Sequence, residues 1–225
     1  MSTHRRARPT VNATEAPAAI AVASDRSLVA EAVGAALAGS GLIIARIPWP
    51  GEGGESPPGW KPGTNPPELA LMLCDLEPAS LQAARLVVSR YPARWLLLTD
   101  AARGPLWGAM FEAGVVRILS SSTTMADLLN ALTELRAGAV WDSRADREEL
   151  VQAWRQVRVQ MSSLSGRERE VLRQLHLGRS VSQIAEHNGV ARSTVRSQVR
   201  SVLRKLDVNS QLAAAAYYEK WGRGL

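Results

Sequence analysis

The chain has 225 residues, long enough for two domains with separate cores. It carries 27 Lys and Arg against 21 Asp and Glu, a net charge of +6. One cysteine, Cys74, excludes an intrachain disulfide, and no apolar run reaches the roughly 18 residues of a membrane span.

Residues 1–17 read as a disordered tail that holds Arg5, Arg6 and Arg8. The apolar stretch 18–23 after it is shorter than the about 7–15 residues of a signal-peptide core, so it is taken as a first strand. From there to residue 140 the pattern is α/β. Strands are predicted at 18–24, 41–47, 69–74, 94–99 and 115–119. Helices are predicted at 25–39, 79–90, 104–113 and 124–137, the first with Leu28, Val29, Val33 and Leu37 on one side. Continuously apolar strands alternating with helices predict a doubly wound, parallel five-stranded sheet covered on both faces. Pro48–Pro67 breaks the alternation, because its Pro and Gly content forbids a helix. It is expected either as an ordered loop anchored by Trp49 and Trp60 or as a flexible flap.

Residues 141–161 read as a linker helix. Leu150, Trp154, Val157 and Met161 recur at helical spacing. That stripe fits a helix packed on one of the domains, or a short dimer seam.

Residues 162–225 read as an all-α domain. Ser165-Gly166-Arg167-Glu168 and Ser180-Val181-Ser182-Gln183 have the form of capping boxes, and each opens a helix. Gly178 and Gly189 end those helices. The next helix, Arg192–Leu206, separates two kinds of residue. Val195, Val199, Val202 and Leu206 make one apolar stripe. Arg192, Arg196, Arg200 and Arg204 wind along the other side, with Ser193, Thr194, Ser197 and Gln198 between them. A short helix, a tight turn and a basic helix form a helix-turn-helix. A planar guanidinium reads guanine edges and neutralises phosphates, so double-stranded DNA is the expected partner. Charge agrees: residues 162–225 hold 11 Lys and Arg against 5 Asp and Glu, whereas residues 18–161 hold 13 against 15.

The stretch from Leu164 to about Trp221 closely resembles the DNA-binding domain of the LuxR/FixJ family of bacterial transcription regulators. The anchors are Leu164-Ser165, Arg167-Glu168, Glu170-Val171-Leu172, Gly178, Ile184-Ala185, Val190, Ser193–Arg196 and Leu203–Leu206. The resemblance implies that Arg196, Ser197 and Arg200 read bases, with Thr194, Gln198 and Arg204 on phosphates and Val195 within the same segment. It implies a homodimer formed through Leu212, Ala213, Ala216 and Tyr217 of the last helix, RNA polymerase as a possible further partner, and a cytoplasmic location.

The α/β part resembles a response-regulator receiver domain, partly through FEAGVVRILS at 111–120. A receiver implies a Mg²⁺-binding acid pair after strand one, an acceptor Asp after strand three, a hydroxyl after strand four and a Lys after strand five. Here Ser24-Asp25 supplies one acid. Asp75 is the candidate acceptor, although the spacing to Pro78 also admits Cys74 or Leu73. Thr99 fits the hydroxyl, with Asp100 beside it. The lysine is missing: Ser120 and Ser121 stand there, and no Lys lies between Lys61 and Lys205. The expectation is an atypical receiver governed by a ligand, a protein partner or constitutive dimerisation, with Asp25, Asp75 and Thr99 as its candidate site and no cofactor. A conventional response regulator phosphorylated on Asp75 is the alternative. No G-x-G-x-x-G, Ser-His-Asp set or Cys/His metal cluster supports an enzyme.

Overall fold

A computed structural model describes residues 19–50, 67–139 and 143–222. The N-terminal elements are β1 (Ala19–Ser24), α1 (Ser27–Gly39), β2 (Ile43–Arg46), β3 (Leu69–Leu73), α2 (Pro78–Arg90), β4 (Arg94–Thr99), α3 (Pro105–Ala113), β5 (Val115–Ser120) and α4 (Met125–Arg136). The expected tail, Trp60 and residues 51–66 lie outside the described residues. Trp49 packs against the core.

All strands pair in parallel, in the order β2-β1-β3-β4-β5. Side chains alternate between faces along a strand. Ile20 and Val22 of β1 join Leu71, Leu96, Ala30, Leu37, Leu128 and Leu132 in the layer under α1 and α4. Ala21 and Ala23 join Met72, Leu97, Ala84, Val87 and Met110 under α2 and α3. With both faces covered, the strands can be apolar throughout, as their sequences are.

The phase of α1 differs from the expectation. Ala30, Gly34 and Leu37 face inward, while Leu28 is 80% exposed and Val29 41%. Small residues let the helix approach the sheet: a Cβ on Gly34 would sit 3.6 Å from Ile44 Cγ2. Arg26, not Asp25, precedes the first helical residue.

The linker forms α5 (Arg144–Ser162), whose apolar stripe is turned inward. Leu150, Trp154, Val157 and Met161 are all buried within the chain, so they do not form a dimer seam. The stripe packs on α3. Gly108 makes this possible, because a Cβ there would meet the Leu150 carbonyl oxygen at 2.0 Å. Glu112 of α3 fastens the contact. Its carboxylate accepts from Arg155 Nε at 3.0 Å, an Arg158 guanidinium nitrogen at 3.0 Å and Trp154 Nε1 at 3.1 Å. Burial pushes the Glu112 carboxyl up, but these donors outweigh it and hold it below its ordinary value.

The same core runs on into the C-terminal elements: α6 (Gly166–His176), α7 (Val181–Asn188), α8 (Arg192–Leu206) and α9 (Gln211–Trp221). Trp154 meets Trp221 with ring centroids 6.4 Å apart, and Met161, Leu164, Leu172, Val202 and Leu206 continue the cluster. Gln160 Nε2 donates to the Leu206 carbonyl at 3.2 Å. The two folding units therefore share one apolar spine through α5.

Candidate nucleic-acid interface

The C-terminal unit is built to present α8. Ser165 and Ser180 both close complete capping boxes, with Glu168 and Gln183. These satisfy backbone N–H groups that would otherwise lack partners and so fix where α6 and α7 begin. Gly189 ends α7 at φ 63°, a left-handed conformation that glycine adopts without steric cost. Three residues later, at Arg192, α8 starts.

Val195 and Val202 are fully buried, Leu206 is 1% exposed and Val199 5%. Val195 and Val199 pack on Val171, Leu175, Ile184 and Ala185. Val195, counted with the DNA-binding segment, supports the helix from beneath, as its place in the apolar stripe requires, and does not reach the outward surface. Thr194, Arg196, Ser197, Arg200 and Arg204 are exposed, as are Arg192 and Ser193. Gln198 is half-buried, its amide oxygen enclosed without a partner.

Among the described residues no ion pair involves Arg192, Arg196, Arg200 or Arg204; Arg204 reaches only Ser201 Oγ, at 3.5 Å. Cations beside this face are engaged. Arg173 binds Glu170 through two donors, at 2.7 and 2.9 Å. Lys205 binds Glu168 at 2.7 Å. The arginine face is thus positive, unpaired and open.

On α9, Leu212 is 81% exposed, Ala216 is exposed and Ala213 half-buried. Ala214 and Trp221 point inward. Tyr217 is committed within the chain, its hydroxyl donating to Gln160 Oε1 at 2.6 Å.

A second site lies at the other end of the molecule. The strand order reverses between β1 and β3, which opens a crevice outside the carboxyl ends of the strands. A cleft of about 180 Å³ occupies it, lined by Asp25, Arg26, Asp75, Asp100 and Ser121 with Val29, Val33, Leu98 and Met125 as apolar walls. Of the three residues left open at the acceptor position, Leu73 and Cys74 are buried, and Asp75 presents its carboxylate. Burial pushes the Cys74 thiol up to about 12, so it stays protonated at neutral pH. Thr99 lies enclosed, its hydroxyl oxygen accepting the Ala101 N–H at 3.1 Å.

Each carboxylate of the cleft has one oxygen engaged, and the other oxygen of Asp25 is enclosed without a partner. Asp75 accepts from the Arg26 guanidinium. Asp25 Oδ2 accepts from Ser80 at 2.7 Å. Ser121 donates to Asp100. Among the described residues no group of three His, Cys, Asp or Glu converges as metal ligands would. A hard divalent cation binds through several oxygens, and at Asp75 the Arg26 guanidinium already holds one of them. Arg26 was legible only as the residue after a lone acid; its reach to Asp75, 49 positions away, had no local signal.

Residues 162–218 match the family model described as bacterial regulatory proteins, luxR family. The matched segment covers the C-terminal helices, with α8 as the basic helix of the helix-turn-helix, and runs through α9 as far as Tyr218. A nitrate/nitrite response regulator protein homolog of Haemophilus influenzae is 31% identical over 132 residues, which cover 58% of this chain. The match spans 62% of that relative's length. The whole chain also has the fold of RcsB from Salmonella enterica serovar Typhimurium, solved bound to a promoter with phosphomimetic BeF₃⁻. That likeness has a TM-score of 0.50 and 17% identity, over 91% of this chain and 99% of the other. The architecture is thus a receiver-type α/β domain joined to a helix-turn-helix domain.

Proposed function

We propose that the protein is a regulator of transcription that binds specific sites on double-stranded DNA as a homodimer. The observation that carries this reading is the row of four unpaired arginines standing over the buried stripe of α8. Arg196, Ser197 and Arg200 take the base edges; Thr194, Gln198 and Arg204 hold phosphates. Arginine matches the O6/N7 edge of guanine with two hydrogen bonds, and phosphate contacts set the register. Leu212, Ala213 and Ala216 join two copies, so the operator has two half-sites. RNA polymerase is the natural further partner at a promoter, and the site of action is the cytoplasm.

The receiver-type domain works without phosphorylation of Asp75. Arg26 on Asp75, Ser120 and Ser121 in place of a lysine, and a single acid after β1 support this. Control then passes to a ligand or protein partner at the cleft, or to dimerisation alone.

Footprinting the purified chain on genomic fragments tests the reading, with and without acetyl phosphate. The expected result is a two-part protected site, unchanged by the phosphoryl donor. Absence of any protected site contradicts DNA recognition. A shift in affinity that disappears in Asp75→Asn would replace the atypical receiver with a phosphorylated one.

A further inference from the structure

The Ser24-Asp25-Arg26 junction puts a cation directly after the position of a receiver's acid pair. Arg26 is fixed there by its backbone. Its N–H donates to Ser24 Oγ at 3.0 Å, and its carbonyl accepts the Ala30 N–H at 3.0 Å as α1 begins. The side chain crosses the cleft mouth from the β1 side to the β3 side and donates to Asp75 Oδ2. Asp75 is only 23% exposed, so its charge needs a partner. Ser80 takes one oxygen of Asp25, and the other is enclosed without a partner.

We propose that Arg26 is a built-in counter-ion that takes the place of a divalent cation at Asp75. The inference rests on the receiver reading above. A guanidinium supplies a permanent positive charge and directional donors to a carboxylate. It also repels a second cation at the same oxygens and occupies one of them, which removes both the attraction and the coordination a Mg²⁺ ion requires. A Mg²⁺ ion at Asp75 therefore has to displace Arg26.

Calorimetric titration of the full chain with Mg²⁺ tests this. Wild type is expected to give no saturable binding at millimolar Mg²⁺. Arg26→Asp removes the counter-ion and adds a carboxylate beside Asp25; it is expected to gain binding tighter than wild type by an order of magnitude or more. The gain should be lost in Arg26→Asp combined with Asp75→Asn. Arg26→Gln removes the charge while keeping most of the length, and its melting temperature should rise with Mg²⁺ while that of wild type does not. Saturable Mg²⁺ binding by wild type that depends on Asp75 would overturn the proposal. So would Mg²⁺ indifference in both Arg26 variants. Labelling of wild-type Asp75 by acetyl phosphate would overturn the atypical-receiver reading itself; Mg²⁺ binding without labelling would overturn the counter-ion alone.

Discussion

Gly108→Ala tests the seam that joins the two halves of the molecule. An added methyl would lie 2.0 Å from the Leu150 oxygen, 2.5 Å from its carbonyl carbon and 3.0 Å from the Val151 nitrogen. All three are backbone atoms, so no rotamer change relieves the clash. Restoring an ordinary contact of about 3.4 Å requires α3 and α5 to part by about 1.4 Å. That movement pulls Leu150 and Trp154 out of register and stretches the Glu112 contacts to Arg155 and Arg158. Overpacking of this kind costs about 1–3 kcal/mol, and replacing a mid-helix glycine returns up to about 1 kcal/mol. The expected net loss is about 1–2 kcal/mol. Urea denaturation followed by tryptophan fluorescence measures it, because Trp154 and Trp221 sit on the spine. Gly39→Ala is the control: a Cβ there meets nothing within 4 Å, so stability should hold or rise by about 0.4–1 kcal/mol. If Gly108→Ala is as stable as wild type, the close approach of α5 to α3 is wrong.

Glu168 should give the C-terminal helical domain an acid-sensitive step. Burial raises its pKa, but Lys205, Ser201 and Ser165 outweigh burial and hold it at about 2, below its ordinary 4.5. Its folded value is depressed, so the stabilisation is present above about pH 4.5 and is lost as pH falls toward 2. The loss is up to about 3 kcal/mol, and Glu168→Gln should flatten that part of the stability–pH curve. Leu212→Asp should leave thermal stability unchanged, since Leu212 is 81% exposed, yet shift sedimentation from dimer toward monomer. DNA affinity should fall steeply as salt rises, through release of counterions, and Arg204→Ala should reduce that slope by about one phosphate's share.

The helix-turn-helix was legible because α8 separates its residues without ambiguity. A β-branched stripe at helical spacing and arginines every four residues leave one way to dock the helix. Three features were less legible, each for a physical reason. In α1 the larger side chains suggested the wrong phase, since close helix–sheet packing prefers Ala30 and Gly34 inside. In α5 periodicity showed that a face is buried but not what buries it. The covering surface is α3, whose fit depends on the absent side chain of Gly108 and on Glu112, neither marked by any local pattern. In the receiver-type cleft the missing acid and lysine were visible as gaps. The contact from Arg26 to Asp75 is long-range and depends on the β1–β3 register, which places Ser24 beside Leu73.

The central claim is that the outward arginines of α8 read DNA while the valines beneath hold the helix in place. Comparing operator affinities of wild type, Arg196→Ala and Arg200→Ala at one fixed salt concentration addresses it most directly. Each variant should fold normally, lose about 1–3 kcal/mol at the preferred site and discriminate less between bases there. Wild-type affinity and base preference in both variants would contradict it.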